Sequence, residues 1–273
     1  MSDKIITEIS YYSNPYEINR AVEKLIDSKG TDVKNYDPSE ISFLAAYSGY
    51  GGLESYGNFT QEELQGLLFE FYTPDAIVKK MWGLAYKHGY GSFEDNSVFE
   101  PSVGVGAFLQ YAPKDVRVVG NELNKYSAKI CQILYPHAVI RQQFFEQNFI
   151  KNNSSIKDKV KSLEKFSLVI GNPPYGKLQG KYIGMGEGSY TKAPNYAHYF
   201  IDRGLDITES GGLLIYIVGA SQPNGGTMFL DSEMNPSKEK IAEKSSLVEA
   251  YRLPTNLFDR TQVSSEILVF RKK

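Results

Sequence analysis

Residues 98–108 read Val98-Phe99-Glu100-Pro101-Ser102-Val103-Gly104-Val105-Gly106-Ala107-Phe108, and residues 168–175 read Leu168-Val169-Ile170-Gly171-Asn172-Pro173-Pro174-Tyr175. Each opens on a short apolar run stopped by residues that turn the chain, which is the pattern of a strand buried on both faces. The same rhythm repeats around them. Further strands are expected at Arg117–Gly120, Ala138–Arg141 and Leu213–Val218. Helical patterns lie between: Ile77, Val78, Met81 and Trp82 share one face after Thr73-Pro74-Asp75, Ala128, Cys131 and Leu134 share another, and a third helix falls near 196–207. Strands alternating with helices predict an α/β fold with a doubly wound, mostly parallel sheet covered on both faces. Leu247–Arg252 and Ile267–Phe270 add a terminal antiparallel hairpin, bringing the expected sheet to seven strands.

Outward from this core, residues 1–70 read as an N-terminal helical extension and residues 71–273 as the main domain. Pro15 starts a helix ended by Gly30, Asp37-Pro38-Ser39-Glu40 has the residues of a capping box, and Thr60-Gln61-Glu62-Glu63 repeats that signal. Tyr47-Ser48-Gly49-Tyr50-Gly51-Gly52 reads as a tight connection between helices. Residues 151–165 are polar and lysine-rich, and residues 176–195 carry five glycines, which predicts a mobile loop.

The composition excludes several classes. The 273 residues hold 30 Lys+Arg against 32 Asp+Glu, a formal charge of −2, so the chain is no basic nucleic-acid coat, although a local basic patch fits inside a neutral sum. A single cysteine, Cys131, excludes a disulfide framework and a cysteine zinc cage, and three scattered histidines make no metal site. The longest strongly apolar run is far too short to cross a membrane, and the N-terminus lacks a secretory pattern. The expectation is a cytoplasmic protein without metal or membrane. The 20 tyrosines have no explanation at this level.

Two segments carry chemistry. In the first, Gly104 and Gly106 let the backbone turn sharply after a strand and approach a ligand, and the segment is read as opening a helix. Glu122 ends the next strand, where a carboxylate can accept from both hydroxyls of a ribose. Leu109 stands where a dinucleotide fingerprint has its third glycine, and no Gly-Lys-Ser/Thr follows, so neither a dinucleotide nor a phosphate loop fits. Acidic Glu100 suits a ligand with an ammonium group, and S-adenosylmethionine has an ammonium, a ribose and an adenine. A plain strand–turn–helix connection remains an equal reading of these residues. Thr73 and the amides that follow can receive a carboxylate, or form an ordinary helix cap.

The second segment is Asn172-Pro173-Pro174-Tyr175. Two prolines fix the backbone and remove two donors, leaving acceptors exposed. The Asn172 side-chain oxygen and the Pro173 carbonyl can accept both hydrogens of one exocyclic amine, and the Tyr175 ring can stack on a planar base. Two acceptors localise the lone pair of a poorly nucleophilic aromatic amine toward an electrophile.

Together these motifs resemble the amino-methylating DNA methyltransferases, most closely the gamma-type N6-adenine enzymes. The order here matches theirs: Phe71-Tyr72-Thr73-Pro74, then Glu100 to Phe108, Asn121-Glu122, and Asn172 to Tyr175. Tyr47 to Leu53 and Ala250 to Pro254 further resemble the methylase region of large proteins of phages and conjugative elements. The resemblance implies a seven-stranded, Rossmann-like S-adenosylmethionine-dependent sheet, restriction-modification chemistry and methyl transfer to adenine N6 in DNA by base flipping. It assigns Thr73 to the methionine carboxylate, Glu100 and Ser102 to the methionine end, Gly104 and Gly106 to the turn, Glu122 to the ribose, and Leu123, Gln143 and Phe144 to the cofactor adenine. It assigns Asn172, Pro173, Pro174 and Tyr175 to the target base. Gln143 replaces the family's usual Asp, and its carbonyl can still accept.

Lys177, Lys181 and Lys192, interleaved with tyrosines beside the base pocket, are candidate DNA contacts. The expected partners are DNA and a separate target-recognition domain or subunit. The alternatives are a methyltransferase acting on RNA or on a protein glutamine, and a catalytically idle cofactor- or DNA-binding module of a larger assembly.

Overall fold

The structure, a computed structural model, describes residues 12, 14–51, 53–56, 72–149, 163–175, 193–220, 227–255 and 264–273. Its helices are α1 (Pro15–Lys29), α2 (Pro38–Leu44), α3 (Asp75–Lys87), α4 (Lys125–Leu134), α5 (Tyr196–Ile207) and α6 (Pro236–Lys244). Three of them begin with one local device, a polar cap followed by proline at the first helical position. Asn14 accepts from the Glu17 amide at 3.0 Å, Asp37 and Glu40 form a full capping box, and Asn235 accepts from the Ser237 and Lys238 amides. Gly30 closes α1 in a left-handed conformation at φ 74°.

The strands are β1 (Val98–Glu100), β2 (Val118–Glu122), β3 (Val139–Gln142), β4 (Phe166–Gly171), β5 (Thr208–Gly219), β6 (Ser245–Leu253) and β7 (Ser265–Lys272). They form a seven-stranded sheet of order β3-β2-β1-β4-β5-β7-β6. The first five run parallel, and β7 lies antiparallel between β5 and β6. The expected α/β, mostly parallel sheet with its terminal hairpin is therefore observed. The order reverses between β1 and β4, and ligands of doubly wound sheets bind outside the carboxyl ends of the strands at such a reversal.

Period-two alternation sends neighbouring residues to opposite layers. Val98, Leu168 and Leu213 pack with Val78, Met81 and Trp82 of α3 and with Ala128 and Cys131 of α4. Phe99, Val169 and Leu214 pack on the other face with Tyr199, Phe200 and Leu205 of α5. Helices α1 and α2 add an outer layer, burying Val22, Ile26, Phe43 and Leu44 against Ile130 and Ile133 of α4. Asn19 anchors the Tyr47–Gly51 turn, donating to the Gly49 carbonyl and accepting from the Ser48 amide.

One expectation needs correction. The glycine turn does not open an α-helix: it passes through a single 3-10 turn at Leu109–Tyr111. Gly106 at φ 89° breaks the right-handed path, and Pro113 forces Ala112 into an extended conformation, so too few residues remain for a helix. Helix α6 is the converse, a helix that the reading above does not include, although Asn235-Pro236 repeats the start signal of α1. The second capping signal, Thr60 to Glu63, lies outside the described residues.

A Cβ on Gly106 would collide with the Tyr135 ring and stand 2.9 Å from Cys131 Sγ, on a backbone that disfavours side chains. We expect Gly106→Ala to cost about 2–4 kcal/mol in urea unfolding. An unchanged midpoint would contradict this account of the turn.

Candidate functional site

Four strands bring their carboxyl ends together: β1 ends at Glu100, β2 at Glu122, β4 at Gly171 and β5 at Gly219. Between β1 and the 3-10 turn the chain folds back onto β2, with the Val103 amide donating to the Asn121 carbonyl at 2.8 Å. The Glu122 carboxylate then receives the Gly104 amide at 2.7 Å on one oxygen and the Asn124 amide at 2.8 Å on the other. Burial raises its pKa, and the amide hydrogen bonds pull in the opposite direction. Gly104 has φ 54°, and a Cβ there would stand 2.8 Å from the Tyr72 ring, so glycine lets that ring close over the turn. The Trp82 indole donates to the Phe108 carbonyl at 3.0 Å and pins the far end of the turn to α3.

Glu100 is 1 % exposed, and its Oε2 is buried with no hydrogen-bond partner among the described residues. Burial, reinforced by the neighbouring Glu122 charge, pushes its carboxyl well above the ordinary 4.5. A buried carboxylate lacking a cation is the group that a bound ammonium would satisfy. Leu123, next to Glu122 in the chain, is 40 % exposed and offers an apolar surface at the strand end. The Gln143 amide nitrogen donates to Asn148 Oδ1 at 3.1 Å and Asn121 Oδ1 at 3.5 Å, which occupies its donor end and leaves its carbonyl as an acceptor. Phe144 follows, half-buried against the α5 layer. Thr73 is buried and is not the cap of α3: Pro74 holds the N-cap position without a side-chain cap bond. These residues fit S-adenosylmethionine in donor, acceptor and apolar character.

The tetrapeptide Asn172–Tyr175 leaves β4 beside this turn. Ser102 Oγ donates to the Asn172 carbonyl at 3.1 Å, tying the two segments together. Pro173 is buried, and Asn172, Pro174 and Tyr175 are half-buried. The Tyr175 ring packs against Gly219, 2.5 Å from where a Cβ would stand. Burial raises the phenol pKa far above 10, and the nearby Asn172 and Ser265 side chains oppose that rise.

The structure thus gathers Glu100, Ser102, Gly104, Gly106, Glu122, Leu123, Gln143 and Asn172 to Tyr175 at the carboxyl ends of the parallel strands. Lys177, Lys181 and Lys192 lie outside the described residues. Sequence reasoning missed Tyr72, Gly219, Ser265 and the Asn121–Asn148 pair. Tyr72, adjacent to Thr73, was within its reach; Gly219 and Ser265 become visible only through strand pairing. Among the described residues, no group of three or more His, Cys, Asp or Glu could hold a metal, and no helix is long and apolar enough to cross a membrane.

A family model described as Eco57I restriction-modification methylase matches residues 85–249. Defense against restriction protein B of Escherichia phage P1 is 26% identical over 259 residues, covering 94% of this chain and 10% of that protein. The type II methyltransferase M.CvrRI of Paramecium bursaria Chlorella virus XZ-6E is 24% identical over 192 residues, covering 67% of this chain and 44% of that protein. The chain therefore spans less than half the length of both. The methyltransferase subunit of a type I restriction-modification system from Streptococcus thermophilus shares the fold at TM-score 0.55 and 16% identity, over 95% of this chain and 64% of that one.

Because Glu100 is held above its ordinary value, the folded chain binds its proton more tightly than the unfolded chain. Its contribution to stability is full below about pH 4.5 and is lost as pH rises toward the folded value. We expect Glu100→Gln to flatten the decline in stability of the ligand-free chain from pH 5 to 8, read by urea unfolding at each pH. A variant whose profile parallels the native one would contradict the buried, uncompensated carboxyl.

Proposed function

The chain belongs to the Eco57I restriction-modification methylase family, and from that premise we propose that it transfers a methyl group from S-adenosylmethionine to the N6 amino group of adenine in DNA. The observation that carries this reading is the Ser102–Asn172 hydrogen bond of 3.1 Å. It couples the turn suited to the cofactor to the tetrapeptide suited to the base, so that donor and acceptor would share one cleft.

When bound, S-adenosylmethionine supplies an electrophilic methyl group on a sulfonium sulfur. Glu100 receives its ammonium, and Thr73 with the amides opening α3 receives its carboxylate. Glu122 accepts from the ribose, with its oxygens already fixed by the Gly104 and Asn124 amides. Leu123 and Phe144 flank the cofactor adenine, and the Gln143 carbonyl accepts from its amino group. Ser102 stands at the methionine end and fixes the tetrapeptide.

The target adenine leaves the duplex to reach Asn172 and Pro173. Their two carbonyl oxygens accept both amino hydrogens, which directs the nitrogen lone pair at the methyl group. Tyr175, backed by Gly219, offers its outer face for stacking. Positioning and electrostatics carry the step; the proton of the methylated amine leaves afterwards to solvent, so no strong base is required. Sequence choice and grip on the strand fall to a further target-recognition domain or subunit, with Lys177, Lys181 and Lys192 as backbone contacts.

The test is to incubate the chain with S-adenosylmethionine and unmethylated mixed-sequence DNA, with RNA and protein as parallel acceptors, and to quantify methylated products by mass spectrometry. We expect N6-methyladenine in DNA. Asn172→Ala should lower it roughly 100-fold or more while cofactor affinity stays within about twofold. Methyl groups appearing only on RNA or protein, or a fully active Asn172→Ala, would overturn the reading.

A further inference from the structure

A carboxylate at position 143 would present acceptors only, whereas the carboxamide of Gln143 presents an acceptor or a donor, according to which end faces a ligand. The Gln143 backbone amide donates to the Glu122 carbonyl at 3.0 Å, which sets the residue beside the carboxylate assigned to the ribose. Its side chain meets Asn148, the last residue of the 3-10 turn Phe145–Asn148 that follows β3. Two groups of fixed polarity decide how Asn148 lies. The Phe145 carbonyl can only accept, and it accepts from Asn148 Nδ2 at 2.7 Å. The Arg141 guanidinium can only donate, and it reaches Asn148 Oδ1 at 3.4 Å. Asn148 Oδ1 therefore calls for a donor from Gln143, and Nε2 supplies it at 3.1 Å. Asn121 Oδ1 is farther, at 3.5 Å, and Asn121 Nδ2 is buried with no hydrogen-bond partner among the described residues, so Asn121 has no such hold on its own polarity.

We propose that Asn148 is a positioning residue that holds the Gln143 carboxamide with its carbonyl free, and so selects a cofactor whose base carries an amino group at position 6. The inference rests on the proposed reading of Gln143 as the residue that meets the cofactor adenine. With Nε2 held by Asn148, Gln143 has only Oε1 to offer, and no hydrogen bond among the described residues occupies that oxygen. A 6-amino group donates to it. A 6-keto group would set oxygen against oxygen and leave both unpaired. Without Asn148 the carboxamide turns end for end at little cost, because its terminal torsion is broad and two-fold. Nε2 then donates to a keto group as readily as Oε1 accepts from an amine. Asn148 acts only through Gln143; its effect is to keep that residue from reading both bases.

The experiment titrates the full chain with S-adenosylhomocysteine and with its inosine counterpart, in which a keto group replaces the 6-amino group. The native chain should prefer the adenine ligand by about 10-fold or more. Asn148→Ala should bring the two affinities within about threefold of each other. Asn148→Asp, which keeps an acceptor toward Gln143, should retain the preference. In a Gln143→Leu background, Asn148→Ala should leave the ratio of the two affinities where it stands. A merely structural Asn148 would weaken both ligands alike and keep the native ratio, and that result would overturn the proposal. Equal binding of the two ligands by the native chain, or loss of the preference in Asn148→Asp, would overturn it as well. If the native chain binds neither ligand, the proposed function fails on its own. The side-chain amide resonance of Gln143 in the ligand-free chain, which Asn148→Ala should shift, then decides whether Asn148 holds the carboxamide, and an unshifted resonance overturns the proposal.

Discussion

Two backbone amides, from Gly104 and Asn124, converge on the carboxylate of Glu122. The rest of the site depends on that convergence. One amide belongs to a turn whose glycines sit at positive φ, where their conformational freedom must be given up for a single fixed path. The other belongs to Asn124, whose side chain caps α4. A single carboxylate at the end of β2 therefore sets both the turn after β1 and the start of the helix after β2. Once the turn is set, Ser102 reaches the Asn172 carbonyl and Tyr72 closes on Gly104. The glycine turn and the tetrapeptide are parts of one hydrogen-bonded frame.

Tyrosines close much of that frame. Rings of Tyr72, Tyr135 and Tyr175 lie against Gly104, Gly106 and Gly219, each where a Cβ would collide. Tyr47 and Tyr50 direct their hydroxyls at buried Glu23 of α1. An abundance of tyrosine that composition leaves unexplained becomes a pairing rule. Glycine admits the close approach and a flat ring fills the space, the Tyr72 hydroxyl meeting Ser127 Oγ at 3.0 Å.

Much of the architecture was legible because apolar runs are local signals. The strands around Val98, Val118, Leu168 and Leu213 stand where their β-rich runs put them, and Asn14-Pro15 and Asp37-Pro38 begin helices by side-chain chemistry alone. The glycine turn misled because strand–turn–helix is the usual sequel, whereas Gly106 and Pro113 together leave only a 3-10 turn. Helix α6 carried its start signal at Asn235-Pro236 but a weak apolar face, with Ile241 as its one buried residue. The Gly219–Ser265–Tyr175 contact was illegible for a different reason: it exists only through antiparallel register between β5 and β7. Motif residues announce themselves in sequence; the residues that hold them in place are chosen by topology.

The central claim is that the turn at Glu100–Gly106 and the tetrapeptide at Asn172–Tyr175 form a single cleft for cofactor and base. Calorimetric titration with a bisubstrate probe, adenosine joined through N6 to the S-adenosylhomocysteine skeleton, tests it against S-adenosylhomocysteine alone. Linking two ligands gains affinity only if both ends engage at once. The account predicts that the probe binds at least tenfold more tightly, and that Asn172→Ala removes the gain without weakening S-adenosylhomocysteine. Equal affinity for the two ligands, or a gain that survives Asn172→Ala, would contradict it.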